Sequence, residues 1–126
     1  MYENLDIFRT AAAMARHAGA RQAVVAENIA NADTPGYRAR AIGPFAEDYM
    51  SRPSSVLRAT RTGHMQSQSP IATARTEFSN EEPSPNGNTV SLEAEMLHGV
   101  EAAREHSRAL AIYKHALGII RSSLGR

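Results

Sequence analysis

The chain has 126 residues, a net charge of +1 and no cysteine, with a mean hydropathy of -0.40. This length suits one domain of modest size. The balanced charge offers no electrostatic argument for binding nucleic acid or an anionic membrane, and the lack of cysteine excludes disulfides and cysteine metal sites.

The first residues show no secretory signal. The start, "MYENLDIF", is acidic and lacks the basic and apolar regions of a signal peptide. The longest purely apolar run, "AAAMA", is far too short to span a membrane. We therefore expect a protein that stays in the cytoplasm or leaves it by a route without a cleaved signal.

The distribution of proline divides the chain into three parts. All six prolines lie between Pro35 and Pro85, and proline is rare inside helices. We therefore expect an N-terminal helical segment over residues 1–32, an irregular middle over 33–90 and a C-terminal helical segment over 91–126. Together they form one structural domain.

The first segment predicts a helix over about residues 5–31, because apolar and small residues recur at three- and four-residue spacing. The predicted packing seam of this helix consists of Leu5, Phe8, Ala12, Ala15, Gly19, Gln22, Ala26 and Ile29. A second stripe beside it consists of Ile7, Ala11, Met14, Ala18 and Val25.

The first helix is followed by the string "NIANADTPGY", residues 28–37. Asn31 is suited to ending a helix in the left-handed conformation, and Thr34 is pushed from helical angles by the proline after it. Pro35 and Gly36 suit the two central positions of a type II turn. On these grounds alone the string predicts a helix end and a chain reversal.

The middle segment predicts short elements. "GPFAEDYMS" suits a short helix with Pro44 at its first position and Phe45 and Tyr49 on one face. "SVLRAT" and "PIATARTEF" alternate enough for short strands, and "SNEEPSPNGN" predicts an exposed loop.

The last segment carries a heptad pattern, and Ser91 is a suitable N-cap. Its predicted seam consists of Leu92, Met96, Gly99, Ala103, His106, Leu110, Tyr113, Leu117, Ile120 and Leu124. The predicted fold is therefore mainly α, with long terminal helices pairing as a coiled coil around an irregular middle that contains short strands or a short helix. Because seams of small residues bury little area, we expect much of the apolar face to pack on other subunits.

No pattern predicts catalysis or a cofactor. Glu95 and His98 have the spacing of a di-iron helix bundle, but that site needs a second Glu-x-x-His and two more carboxylates. We therefore interpret them as surface residues, and His17, His64 and His115 likewise. His106 lies in the seam, where a polar residue more often sets register than binds metal. Metal ligands, nucleotide-binding loops and nucleophile motifs are not expected, so an enzyme is not predicted.

The string "NIANADTPGY" after an amphipathic helix resembles the signature of the bacterial flagellar axial proteins, the rod and hook family. The C-terminal "NTVSLEAEMLHGVEAAREHSRALAIYKHALGIIRSSL" is similar to the terminal helix of that family. The short length and "TRTGHM", residues 60–65, are most similar to its proximal rod subunits.

The resemblance implies a structural subunit of the flagellar basal-body rod, which transmits motor torque and continues the export channel. Such subunits leave the cell through the flagellar type III apparatus without a cleaved signal and polymerise in the periplasm into a tube lined by the terminal helices. The implied partners are other copies, other rod proteins, and the FliE adaptor and export gate at the rod base. Nucleic acid and small-molecule substrates are not implied.

The same resemblance makes the junction an assembly motif that consists of Asn28, Asn31, Thr34, Pro35, Gly36 and Tyr37. The two asparagines would hydrogen-bond across a helix–helix or subunit interface, and the turn would direct the chain outward from the tube wall. A cytoplasmic helical adaptor that uses the same coiled-coil faces is the alternative, and export dependence separates the two. A metal-binding helical bundle is a third hypothesis, which predicts stoichiometric iron in the purified protein.

Overall fold

The computed structural model of the chain describes residues 3–50 and 74–125. In chain order the elements are α1 (Glu3–Ala30), β1 (Arg40–Ile42), α2 (Phe45–Met50), β2 (Thr76–Phe78) and α3 (Leu92–Ser123). The prediction of a mainly helical chain with long, paired terminal helices is confirmed. No helix within the described ranges is long and apolar enough to cross a membrane.

The bounds of the two long helices differ from the predicted ones by at most three residues. α1 has 28 residues and α3 has 32, which corresponds to lengths of about 42 and 48 Å. Ser91 caps α3 as predicted, because its hydroxyl accepts a hydrogen bond from the backbone amide of Ala94 at 3.4 Å. α1 ends at Ala30, and among the described residues only glycines have positive φ. The predicted left-handed conformation of Asn31 was therefore wrong.

α1 and α3 pack as an antiparallel pair. At one end the rings of Phe8 and Tyr113 meet edge to face with centroids 5.1 Å apart. In the middle Arg21 of α1 donates to Glu105 of α3 at 2.9 Å, and Arg21 also lies 3.7 Å from Glu101. The contacts therefore extend along most of both helices.

The closest part of this pairing is made by small residues. On α3 the buried positions recur every seven residues, at Glu95, Ala102, Ala109 and Ala116. On α1 the buried apolar residues are Ala11, Ala18 and Val25, and Val25 lies close to the Cα of Gly99. Alanine and glycine at these positions allow the two backbones to approach closely.

The predicted seams are offset from these buried positions. On α3 the buried positions precede the predicted Met96, Ala103, Leu110 and Leu117 by one residue. On α1 the buried residues belong to the second predicted stripe, whereas Gln22, Ala26 and Ile29 of the first are exposed. Several of the predicted seam residues therefore lie beside the helix pair instead of inside it.

A small sheet and a short helix join the pair at one end. β1 and β2 are antiparallel, with Arg40 opposite Phe78 and Ile42 opposite Thr76. β1 was not predicted. β2 covers the last three residues of "PIATARTEF", and the first four residues of that string lie outside the described residues. "SVLRAT" lies outside the described residues, as does "TRTGHM". α2 was predicted, and it begins one residue after Pro44.

α2 packs on α1 through aromatic and polar contacts. Phe45 of α2 meets His17 of α1 edge to face, with ring centroids 5.5 Å apart. Within α2, the Phe45 ring also lies tilted against Tyr49, at 5.3 Å between centroids. His17 Nε2 lies 3.1 Å from the Asp48 carboxylate, and His17 Nδ1 is buried without a hydrogen-bond partner among the residues that the structure describes. The interpretation of His17 as a surface residue was wrong, because its side chain holds α2 against α1.

Candidate functional site

The string after α1 forms the predicted turn. The backbone amide of Tyr37 donates to the carbonyl oxygen of Thr34 at 3.2 Å, and Gly36 has φ of +72°. A type II turn needs a positive φ at its third position, where glycine has no steric penalty. Pro35 and Gly36 are exposed, so the turn is held through its backbone and not through burial of the proline ring.

Asn28 is the centre of the junction between α1, β1 and α3. Asn28 is completely buried, with 0% of its surface exposed. Its side-chain amide donates to the carbonyl oxygen of Arg40 at 2.7 Å and to Glu95 Oε1 at 2.8 Å. Its Oδ1 accepts from the backbone amide of Arg40 at 3.1 Å and from the Tyr37 hydroxyl at 3.3 Å. All four hydrogen-bonding positions of the side chain are therefore satisfied.

This arrangement explains why an asparagine stands at position 28. A buried side chain with two donors and two acceptors can bind one backbone amide, one backbone carbonyl, a hydroxyl and a carboxyl group at once. An aspartate would lack the donors, and a leucine would leave the backbone groups of Arg40 without a partner. Such unpaired buried groups cost about 1–3 kcal/mol each.

Asn88 closes the junction from the other side, and the sequence analysis missed it. This residue is buried, and its side-chain amide donates to the carbonyl oxygens of Asn31 at 2.9 Å, Ala32 at 2.7 Å and Thr34 at 2.9 Å. The last carbonyls of a helix have no partner within the helix. Asn88 supplies partners just beyond the end of α1, from 54 to 57 residues away in the chain.

The loop around Asn88 runs alongside the turn. The backbone amide of Gly36 donates to the Asn86 carbonyl oxygen at 3.0 Å, and that of Thr89 donates to Tyr37 at 3.1 Å. A Cβ on Gly87 would lie 3.5 Å from the Cα of Gly36. The loop was predicted to be exposed. It is exposed except at Asn88, which is buried, and at Ser79 and Glu81, which are half-buried.

The remaining residues of the predicted assembly motif support the end of α1. The Asn31 side-chain amide donates to the Glu27 carbonyl oxygen at 2.8 Å, and the Thr34 hydroxyl lies 3.3 Å from Asn31 Oδ1. The structure thus brings the six motif residues together around one chain reversal, and only Asn28 reaches α3.

Glu95 is the charged group of this junction, and its interpretation as a surface residue was wrong. It is 5% exposed, and its Oε2 is buried without a hydrogen-bond partner in the described part of the chain. Burial raises the pKa of the Glu95 carboxyl group, and the nearby charge of Glu81 raises it further, while Asn28 and His98 act against them. Burial also raises the pKa of the Tyr37 hydroxyl, as does the nearby Glu27 carboxylate. Both groups are thus shifted toward their neutral forms.

A separate apolar surface lies on the outside of α3. It includes several of the predicted seam residues: Met96 is 62% exposed, Leu110 50% and Leu124 75%, and Leu92 and Tyr113 are also exposed. Scattered exposed apolar residues are normal, but a row of them along one helix indicates a contact surface. We call Leu92, Met96, Ala103 and Leu110 the α3 stripe.

Comparison with known proteins relates this chain to one family. A family model described as "Flagella basal body rod protein" matches residues 9–38, which include most of α1, the whole turn and Asn28.

Several relatives match a larger share of the chain than the family model does. The flagellar basal body rod protein FlgB of Escherichia coli K12 is 38% identical over 102 residues, which cover 72% of each chain. FlgB of Agrobacterium fabrum is 32% identical over 116 residues, covering 87% of this chain and 86% of that one. FlgB of Cereibacter sphaeroides ATCC 17029 is 32% identical over 93 residues, covering 73% of each.

Proposed function

Since the chain belongs to the FlgB family of flagellar basal body rod proteins, we propose that it forms the proximal part of the rod, next to the export gate. Members of this family are structural proteins and not enzymes, so this chain is a structural subunit of the bacterial flagellar basal body. It assembles into the rod with copies of itself and other flagellar components.

The observation that supports a subunit contact most directly is the α3 stripe. Met96 and Leu110 are largely exposed in the single chain, although both are large apolar residues. Burial of such a side chain contributes about 1.5–3 kcal/mol, so a few of them repeated in each subunit stabilise an assembly. We infer that the α3 stripe, with Leu117, Ile120 and Leu124 beyond it, packs against neighbouring subunits.

The proposed role of the turn at residues 34–37, together with its hydrogen-bonded neighbours, is to set the direction in which the chain leaves α1. Asn28 and Asn88 hold the chain after α1 at a fixed angle to the helix pair through seven side-chain hydrogen bonds. In a tube whose wall is made of residues 1–32 and 91–126, that angle directs residues 33–90 outward. The junction thus serves assembly by shaping the subunit, while the α3 stripe makes the contact.

Further parts of the proposal follow from the family. We infer that the chain is exported without a cleaved signal peptide, assembles in the periplasm, transmits motor torque and continues the export channel. At the rod base its partners are the FliE adaptor and the export gate. The surface of this chain that supports assembly with partners is the α3 stripe. The polar groups of the junction are already satisfied by hydrogen bonds within the chain.

Cell fractionation tests this function. In cells with a working flagellar export system we expect the chain in purified basal bodies, and in cells without it we expect the chain in the cytoplasm. A chain that stays cytoplasmic in both strains supports the helical adaptor instead, and stoichiometric iron in the purified protein supports the metal-binding bundle. A photo-reactive residue in place of Leu110 is expected to form adducts with a second copy or with FliE only when export works.

A further inference from the structure

We propose that Glu95 is a proton-operated latch, which holds the end of α1 against the start of α3 when its carboxyl group is neutral and loosens this contact when it ionises. The inference concerns the single chain and does not depend on the role of the chain in the rod. It rests on the burial of Glu95, on its one hydrogen bond and on the absence of a partner for its second oxygen.

Burial of Glu95 disfavours its ionised form. Oε1 accepts one hydrogen bond from the Asn28 amide at 2.8 Å, which favours ionisation, and Oε2 is buried with no hydrogen-bond partner among the described residues. An ionised carboxylate shares its charge between two oxygens that together accept about four hydrogen bonds. One bond replaces little of the water that the ion loses on burial, so the charged form is poorly supported here.

The surrounding charges do not compensate for this loss. His98 on α3 favours the ionised form, as does the positive end of the α3 dipole. Glu81, in the loop before α3, opposes it. On α1 and β1, Glu27 and Arg40 pair with each other at 3.2 Å. Burial is the largest of the effects on Glu95 and raises the pKa of its carboxyl group.

Ionisation has a definite structural consequence. A carboxylate that moves toward water gives up the bond from Asn28, whose amide then keeps only the carbonyl oxygen of Arg40. The same Asn28 side chain also binds the Tyr37 hydroxyl. Loss of the Glu95 contact therefore removes the side-chain hydrogen bond that joins the start of α3 to Asn28 near the end of α1.

The direction of the pH dependence follows from the raised pKa. The folded chain holds the proton more tightly than the unfolded chain. The contribution of Glu95 to stability is therefore fully present below its ordinary pKa of 4.5. It is lost as the pH rises through the raised value. The contact between the end of α1 and the start of α3 is therefore stronger at low pH and weaker at high pH. This is the reverse of the usual behaviour of a carboxylate in an ion pair.

Equilibrium unfolding of the full chain tests this, with wild type, Glu95→Gln and Glu93→Gln measured from about pH 4 to about pH 8. Glutamine keeps the size of the side chain and its hydrogen bond from Asn28, and cannot ionise. Relative to Glu95→Gln, we expect the unfolding equilibrium constant of wild type to rise by up to about tenfold per pH unit. Glu93 is exposed in the same turn, so Glu93→Gln is expected to follow wild type.

Two results would overturn the latch. One is a Glu95→Gln variant with the same pH profile as wild type, and the other is a Glu95→Gln variant less stable than wild type at neutral pH. If the isolated chain is largely unfolded at neutral pH, Glu95→Gln should increase its helical circular dichroism signal, and an unchanged signal counts against the proposal.

A site-specific titration separates a latch from a merely structural role. In carbon-13 NMR spectra we expect the Glu95 carboxyl resonance to titrate above its ordinary pKa, and the Asn28 side-chain amide resonances to shift with the same midpoint. A Glu95 midpoint at or below the ordinary value, or Asn28 resonances that do not follow it, would refute the proposal.

Discussion

The backbone amide of Gly36 donates a hydrogen bond to the carbonyl oxygen of Asn86 at 3.0 Å. The turn that ends the first helical segment is therefore bound to the loop that leads into the second, fifty residues later in the chain. Gly36 takes part in this contact with φ of +72°. A Cβ added to it would meet nothing within 4 Å, so its requirement for glycine comes from backbone conformation and not from crowding.

Substitutions in the turn should follow that conformational requirement. Gly36→Val should cost about 1–3 kcal/mol, because a β-branched residue resists positive φ. Gly36→Asn should be milder, since asparagine tolerates the left-handed region. Pro35→Ala should be mildest, because its position accepts most residues at negative φ. Swim diameter at matched protein levels measures the order.

Secretion must be measured in parallel with swimming. A variant that is retained in the cell has an export defect, whereas one that is exported without assembling has a defect in the rod. If Pro35→Ala is the most damaging of the three, the backbone explanation fails, and recognition of the proline ring by a partner is the better account.

Removal of the Asn88 amide should loosen the end of α1. Asn88→Ala removes one donor from each of three carbonyl groups, of which those of Asn31 and Thr34 keep a backbone partner, and we expect a loss of about 1–3 kcal/mol in the free energy of unfolding. Asn80→Ala is the matched control, because Asn80 is exposed in the same connection. Urea unfolding of both variants checks this, and equal midpoints for the two would contradict the role assigned to Asn88.

Adjacent alanines on α3 should respond in opposite ways to enlargement. Ala102 is completely buried, so Ala102→Leu should separate the helices and cost about 1–3 kcal/mol. Ala103 is exposed, so Ala103→Leu should change the stability of the isolated chain by less than about 0.5 kcal/mol. Thermal unfolding of the isolated chain distinguishes the two variants. A larger loss of stability for Ala103→Leu than for Ala102→Leu would show that the seam predicted from the sequence is the one that packs on α1.

A charge in the α3 stripe should abolish assembly and leave the single chain folded. Leu110 is half exposed, so Leu110→Asp costs the monomer little. In a subunit contact, however, the buried carboxylate costs several kcal/mol. We expect unchanged helical content in the purified chain and loss of swimming, with Leu110→Met as a control that retains both. Normal motility of cells with Leu110→Asp would show that the α3 stripe is not part of the subunit interface.

The sequence predicted the helices and the turn because their signals are local. The boundaries of α1 and α3 follow from spacing and capping, and the conformation of Gly36 follows from its place after Pro35. The offset of the α3 seam could not be predicted in this way. Large apolar residues are normally assigned to a core, but here close approach of the helices selects Ala102 and Ala109 and leaves Leu110 at the side.

The junction was harder to predict because its contacts are distant in sequence. Asn28 was correctly placed in a motif, but its bond to Glu95 spans 67 positions. Asn88 stood in a loop whose composition indicated only a turn. Glu95 was interpreted as a surface residue because the chain has no second Glu-x-x-His to complete a di-iron site. Its burial depends on the fold bringing the Asn28 amide to its carboxyl group.

The pairing of Ile42 with Thr76 has a consequence for how the chain can change in length. The two strands hold Ile42 and Thr76 opposite each other, and the chain between them includes α2 and residues 51–73. In general, doubling the length of a flexible loop costs only about 0.6 kcal/mol in closure entropy. We therefore expect a reporter domain inserted between α2 and β2 to leave the strand pairing and the geometry of the helix pair in place.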